Sequence, residues 1–581
     1  MIRELREKFL ESSKKVIADK AKFPEETVKE VEERLKSTGI KIYKGLKRID
    51  KGRLGIPVYL SLYDIDGQKI TGNFKQMGKG STELLSQASA LMELVERFSL
   101  FSFYKEIQKK GILSNLEGLK ERVIPLELIL KSVEDEESEN IKKVAIKYLK
   151  EIPFYFVKAF EVTTQKEKFI PFHWFWLLYE YNGSAGGNTY PEASVQAICE
   201  LIERHTNALS VRKNTPMPAI KRNSIQGEGE RLINCYERLN IKLWIRDMTF
   251  GMPVPTVAIM AMDPSTYPER SEIVYAAGTA TSPERALIRA LTEVAQLAGD
   301  FDTEGKYVES GLPKFKTLEE AKNVIEWTYQ VDLKDLPNIY SEDHVEEMLN
   351  LSQKLKEIGY EVYLIDITHP QLNIPAVYVI IPGVLFRERT RISYLYQMVR
   401  TLNLYLPKEK MKDFLLSLIE EIKDKYYLWA YLGNIYKDIS KENEAIECYQ
   451  KALELSPPPA DKLAIISHLA DTYFKKGEYE KVLNLAEIAL EIDEIPELYN
   501  ILGRAYYKLG NYLKAMEAFS RAIDLNPASA IDYANIGYCL KAINYLPIAQ
   551  IYFKKALEID PELTMAKRGL EYCEAILNSK N

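Results

Sequence analysis

The apolar positions of the first four hundred residues switch repeatedly between two periods. Residues 1–40 carry charge at nearly every turn and predict a charged helical segment. From Lys41 to Ile65 the period shortens to two. "KIYKGLKRI" and "GIPVYLSLYDI" alternate, are rich in Ile, Val and Tyr, and predict strands. A helical period returns from about Glu83 to Tyr104, and residues 107–150 look like a charged helical insertion. Further strands are expected at Phe154–Phe160, at Lys168–Trp176, in "IKLWIRDMT" and "VPTVAIMAM", and in "YEVYLIDIT" and "AVYVIIPG". Helices are expected at about Pro191–Leu209 and Ser282–Leu297. Strands and helices mixed in this way predict an α/β (α+β) body.

The C-terminal part repeats. Leu432, Gly433, Tyr436, Ala445, Tyr449, Ala452 and Pro457 recur as Leu502, Gly503, Tyr506, Ala515, Phe519, Ala522 and Pro527, and again as Ile536, Gly537, Ala549, Phe553, Ala556 and Pro561. Leu469, Ala470, Tyr473, Ala486 and Ala489 form a weaker copy. A period of about 34 residues is that of the tetratricopeptide repeat (TPR), a pair of antiparallel helices. Small residues belong where the two helices touch, aromatic residues fill the gaps, and proline ends the second helix. Arg568 to Lys580 is expected to cap this all-α solenoid.

With 581 residues the chain exceeds one hydrophobic core, so several domains are expected. The patterns place a helical segment at 1–40, the mixed body at 41–405 and the repeats at 406–581. A net charge of -6, from 78 basic and 84 acidic residues well mixed along the chain, argues against nucleic acid as a partner. Five scattered cysteines without a C-x-x-C pair argue against a disulfide framework or cysteine zinc site and suit a reducing cytoplasm. Met1 to Lys20 has no apolar signal core, and no uncharged apolar run reaches ~18 residues, so neither secretion nor a membrane span is expected.

The candidate chemistry lies in three helices. In "SQASALMELVERFS", Ser89, Glu93, Glu96 and Arg97 share one face. "ASVQAICELIERHT" repeats the pattern with Ser194, Glu200, Glu203 and Arg204, and "RALIRALTEVAQLAG" supplies Arg289, Glu293 and Gln296. Two readings are open. Each glutamate pairs with an arginine of its own helix on a solvated face, or the helices converge and their carboxylates hold divalent cations, Mg²⁺ being a hard ion that takes oxygen ligands and shares them with phosphates. "MGKGST" (Met77–Thr82), with Lys79, is either a plain turn or a phosphate contact, and "NGSAGGNTY" (Asn182–Tyr190) either a flexible loop or a close backbone approach. Cys199 reads as buried packing, and "PFHWFWLLYEY" as core or a substrate wall. His173, His205, His344, His369 and His468 lack zinc-ligand spacing, and no G-x-S-x-G elbow or kinase signature is present.

Taken together, "GIPV", "GKGS", Ser89 to Arg97, Gly186 to Ala193, "CELIER" (Cys199–Arg204) and "RALTEVAQ" (Arg289–Gln296) resemble the YcaO family in the family's order, over roughly residues 41–300. A branch of that family also carries C-terminal TPRs. The resemblance implies a core of related subdomains with a nucleotide site of its own kind. Glu93, Glu96, Glu200, Glu203 and Glu293 would hold Mg²⁺ against ATP. Lys79, Ser89, Arg97, Ser184, Asn188, Arg204 and Gln296 would contact the nucleotide or position the carboxylates. It implies ATP-dependent activation of a peptide backbone amide: a nucleophile adds to the carbonyl, ATP phosphorylates the oxygen, and phosphate leaves. An internal Cys, Ser or Thr gives an azoline, and external sulfide gives a thioamide. The chain ends in "AILNSKN" instead of the Pro-rich tail of many azoline formers and shows no peptide-binding domain, which tilts the expectation to thioamide. Gln296 is followed by Leu297, where the family often has Arg. Expected partners are a peptide or protein substrate, a TfuA-like or other sulfur-delivery protein, a protein held by the TPR and, in some assemblies, a second copy as a homodimer. The rival reading is a nucleotide-binding TPR adaptor with little catalysis.

Overall fold

A computed structural model describes residues 2–302, 307 and 311–578; Met1 and Lys580, included in the expected terminal helices, lie outside these. The chain divides at Thr401/Leu402 into two compact units.

The first unit is built on three sheets. β1 (Tyr43–Arg48), β2 (Val58–Tyr63) and β3 (Lys75–Lys79) form an antiparallel sheet in chain order. β4 (Ile112–Ser114), β5 (Phe154–Glu161), β6 (Lys166–Pro171) and β7 (Ser184–Gly186) begin a second sheet. β8 (Met217–Ile220), β9 (Lys242–Asp247), β10 (Thr256–Met262), β11 (Val274–Thr279) and β12 (Trp327–Val331) make a third, in the order β11-β10-β9-β8-β12. β13 (Tyr363–Asp366) and β14 (Ala376–Ile380) complete the second, which runs β4-β5-β13-β14-β7 with β6 beside β5.

One long helix follows one strand of each sheet. Glu83–Lys105 follows β3, Tyr190–Lys213 follows β7, and Pro283–Ala298 follows β11. In each case a hydroxyl caps the helix by accepting from the third backbone N–H: Thr82 from Leu85, Thr189 from Glu192, and Ser282 from Arg285. In the first and third units the strand carries a glycine, Gly78 or Gly278, lying so close to the helix that a Cβ would strike the backbone of Ala90 or Ala290. Behind the third helix, Leu287, Leu291 and Val294 are fully buried against Ile259 and Val274, each worth about 1.5–3 kcal/mol of transfer free energy.

Several local expectations change in the fold. Residues 1–40 are two helices, Ile2–Phe9 and Pro24–Ser37, separated by an irregular strap. The strap's backbone is taken up elsewhere: Lys15 donates to Glu342 O at 2.9 Å, and His344 donates to Ser13 O at 3.0 Å. The strand expected at Lys168–Trp176 stops at Pro171, and Phe172–Tyr179 is a helix, because a run apolar on every side has no period to read. The 107–150 insertion contains β4 as well as short helices. Half of "MGKGST" is the end of β3, and the glycine loop contains β7, paired with β14.

His173 opens the Phe172–Tyr179 helix and is 4% exposed, its ring 5.9 Å from those of Tyr104 and Tyr155. Burial pushes its pKa down from 6.5 to about 4. A depressed histidine favours the fold while neutral, so its contribution is complete above pH 6.5 and is lost as pH falls toward 4. That loss reaches about 3 kcal/mol from His173 alone. Urea denaturation at pH 7 and pH 4.5 is expected to show it, and His173→Phe to flatten the difference.

The second unit is a TPR solenoid. Its helix pairs are Tyr426–Asp438 with Glu442–Glu454, Pro459–Lys475 with Tyr479–Leu490, Pro496–Lys508 with Tyr512–Leu525, and Ala530–Ala542 with Leu546–Ile559, and Thr564–Asn578 caps them. The repeat glycines do what their spacing predicts. A Cβ on Gly433, Gly503 or Gly537 would lie 2.7 Å from the ring of Tyr449, Phe519 or Phe553.

Candidate active site

The three capped helices share one register. Seven, eleven and fourteen residues past the cap stand Ser89, Glu93 and Glu96; Gln196, Glu200 and Glu203; and Arg289, Glu293 and Gln296. One residue further on are Arg97, Arg204 and Leu297, the last packed on the core. Identical offsets put the same face of each helix toward a single cavity of about 300 Å³. The twelve residues that the family resemblance implies for the site all line it: Lys79, Ser89, Glu93, Glu96, Arg97, Ser184, Asn188, Glu200, Glu203, Arg204, Glu293 and Gln296. Ser194, set beside Ser89 by the sequence pattern, is not among the lining residues; its Oγ donates to Tyr190 O at 2.8 Å, and Gln196 takes the equivalent place.

Each glutamate of the two E-x-x-E-R patterns pairs with the arginine of its own helix, and the helices also converge on one cavity. Arg97 pairs with Glu96 at 2.7 Å and Glu93 at 3.6 Å, while Arg204 lies 3.6 Å from Glu200 and Glu203. These pairs face the enclosed cavity instead of bulk water. Loop groups brace them. Ser184 Oγ donates to Glu96 at 2.6 Å and lies 3.0 Å from Arg97. Gly183 N–H donates to Glu200 and Thr279 N–H to Glu203, each at 3.2 Å. Arg204 Nε donates to Asn182 at 3.0 Å. Ser89 Oγ accepts from Lys79 N–H at 3.3 Å, and the Lys79 ammonium pairs with Glu293. Loss of water, with Glu200 and Glu93 nearby, raises the Glu96 carboxyl to about 8, and the same desolvation lifts Glu93. Burial, with Arg289 nearby, pulls the Lys79 ammonium down to about 8.

Sequence reading missed one wall of this cavity. Ala18, Asp19, Lys20 and Lys22 of the strap line it with Pro24 and Thr27, as do Glu192, Gln196 and Arg285. Burial alone would raise Asp19, but Lys20, Arg289 and Arg285 hold it at about 2. Thr27 donates to Asn188 at 2.9 Å, and Ala21 N–H to Glu192 at 3.0 Å. The missed signal was the common spacing from the cap, which already places Gln196 and Arg289 level with Ser89. Cys199 is buried packing, as expected, with its thiol pushed up to about 12 by burial.

Among the described residues no three His, Cys, Asp or Glu side chains converge closely enough to hold a metal ion by themselves. The lining carboxylates, Glu93 and Glu96 on one helix, Glu200 and Glu203 on another and Glu293 on the third, fit Mg²⁺, which takes one or two carboxylates at a time and completes its octahedron with waters and phosphate oxygens. Carboxylates, the kind of group that suits hard cations, stand interleaved here with guanidinium and ammonium groups, the kind that suits phosphates. Residues 77–385 match the family described as YcaO cyclodehydratase, ATP- and Mg²⁺-binding, and the chain belongs to the YcaO family. Its cofactors are ATP and Mg²⁺. Residues 426–458, 496–529 and 533–563 match tetratricopeptide repeats.

An uncharacterized protein of Methanothermobacter thermautotrophicus is 24% identical over 62% of this chain and 93% of its own length. An uncharacterized protein in the tfuA 3′ region of Rhizobium leguminosarum bv. trifolii is 26% identical over 35% of this chain and 51% of its own. A solved heterocyclase in complex with substrate and cofactor shares the fold, with a TM-score of 0.53 and 22% identity over 68% of this chain. The match spans 57% of that heterocyclase, less than two thirds of its length. Among the described residues no helix is long and apolar enough to cross a membrane.

Proposed function

We propose that this protein uses ATP and Mg²⁺ to activate a backbone amide of a peptide or protein, and that the product is a thioamide. The observation that carries the reading is the gathering of all twelve residues around one cavity, nine of them on the three equivalently capped helices and Lys79, Ser184 and Asn188 on the strands and loop beside them. Glu93, Glu96, Glu200, Glu203 and Glu293 would hold the metal. Bound Mg²⁺ would offset phosphate charge and orient the triphosphate for transfer. Lys79, Arg97 and Arg204 would meet the charge developing on the phosphates, with Ser89, Asn188 and Gln296 placing the nucleotide and Ser184 holding Glu96. An amide oxygen is a poor leaving group, and its phosphorylation after nucleophilic attack converts it into one that departs as phosphate.

The relative in a tfuA region favours external sulfide, supplied with a TfuA-like partner, over an internal nucleophile. The TPR unit would hold the substrate protein or that partner, in a reducing compartment such as the cytoplasm that suits the five free cysteines. Mass spectrometry of a candidate substrate after reaction with ATP, Mg²⁺ and sulfide tests this. Exchange of oxygen for sulfur at one amide is the expected product. Loss of water would assign azoline formation, and an unmodified substrate with bound nucleotide would leave the adaptor reading.

A further inference from the structure

On the face of the third sheet toward the Tyr190–Lys213 helix, several buried polar side chains keep hydrogen-bonding atoms unsatisfied. Arg246 on β9 is 5% exposed, and among the described residues no carboxylate lies within ion-pair distance. Its guanidinium donates only to the carbonyls of Ile245, at 3.0 Å, and Ile325, at 2.6 Å, leaving Nε–H without an acceptor. Strand register surrounds it with small side chains. Arg246 stands between Ala219 of β8 and Ala258 of β10, and Ala258 is followed on the far side by Ala277 of β11. Tyr275 lies on that same face of β11, diagonal to Arg246 across the small Ala258. Its hydroxyl is buried, beside Ser210, without a hydrogen bond of good geometry.

The group leads back to the active site. The helix descends β11, with Glu203 bonded to Thr279 N–H at one end and Ser210 beside Tyr275 at the other. Between them lies Asn207, 1% exposed, on the same stripe as Glu200, Glu203 and Arg204, with both amide atoms unpartnered. Met217, Met248 and Met260 form the surrounding core. A buried cation and buried donors without acceptors are each costly, and an anion is the kind of ligand that offsets both.

We propose that Arg246 and Tyr275 bind a small monovalent anion, with Asn207 as the next donor on the way to Arg204. Resting on the reaction proposed above, the anion is hydrosulfide. Its sulfur bonds to the amide carbonyl carbon, and the carbonyl oxygen takes the γ-phosphoryl group as the bond to ADP breaks. That oxygen departs as inorganic phosphate, carrying the hydrosulfide proton, as the C=S bond forms.

Chloride is the probe. The full-length protein is expected to broaden the chloride NMR line, and sodium hydrosulfide to reverse the broadening competitively. Tyr275→Phe should weaken chloride binding by roughly three- to tenfold and Arg246→Met by on the order of a hundredfold, the loss of charge-assisted donors. Arg246→Lys should restore part of it. In the thioamide assay KM for hydrosulfide should rise in the same order while kcat changes less. If Tyr275 is merely an orphaned hydroxyl, Tyr275→Phe melts higher and leaves chloride broadening intact, which overturns the proposal. So does wild-type broadening no greater than that of Arg246→Met. Broadening that persists while no peptide yields a thioamide sinks the assigned reaction and leaves the anion site standing.

Discussion

Glu93→Gln/Glu203→Gln is expected to lose Mg²⁺-dependent ATP binding by at least a hundredfold, on the order of 3 kcal/mol. On the proposed reading, each substitution takes a hard anionic ligand from a different helix while keeping its shape, so neither half of the site can compensate for the other. The fold should survive. Glu93 sits in a cavity among other carboxylates that already lifts its carboxyl, and removing like charges from such a place relieves repulsion. Titration calorimetry with ATP, with and without Mg²⁺, reads the affinity, and the melting temperature reads the fold. ATP bound equally well by wild type and variant would remove these carboxylates from the site. Lost affinity together with a collapsed melting temperature would show that they act as structure.

The second large effect belongs to the strap. Lys15 pairs with Glu347 at 2.7 Å, their side chains 2% and 1% exposed, and the ammonium lies 3.9 Å from the centre of the Tyr340 ring. His344 Nε2 lies 3.0 Å from Asp19 O, fixing the same segment where Asp19 lines the cavity. Lys15→Met would strand the Glu347 carboxylate in an apolar setting, at a cost of about 3–5 kcal/mol. The chain can escape that cost by releasing residues 10–23, which takes away the wall formed by Ala18 to Lys22. The expected result is rapid proteolysis within the strap and ATP affinity lower by the undocked fraction, on the order of tenfold or more. Lys15→Met/Glu347→Leu replaces both charges with apolar groups and is expected to recover docking and affinity together. An unchanged cleavage pattern in Lys15→Met would mean that the strap is held by its backbone bonds alone.

Much of this protein was written in local sequence. The TPR solenoid follows from Gly433, Gly503 and Gly537 recurring at a fixed distance from Tyr449, Phe519 and Phe553, since each repeat is a complete unit whose contacts lie within a few dozen residues. The carboxylate helices were legible because a 3.6 period carries Glu93, Glu96, Glu200, Glu203 and Glu293 on single faces. The sequence by itself therefore determined the helical repeats, the candidate ligands and the helices that carry them.

Tertiary structure decided the rest. The convergence of the three faces depends on Gly78 and Gly278 letting strand and helix backbones meet, a contact that periodicity does not report. β7 is a strand because β14 supplies its partner, although its three residues have no strand pattern of their own. Phe172–Tyr179 is a helix because burial on every side removes the amphipathic signal. The strap leaves helical geometry because Glu342, Asp343 and His344, more than three hundred residues away, take up its backbone and side-chain groups. Such choices rest on pairing between distant segments, and a local pattern has no term for a partner that only the folded chain brings near.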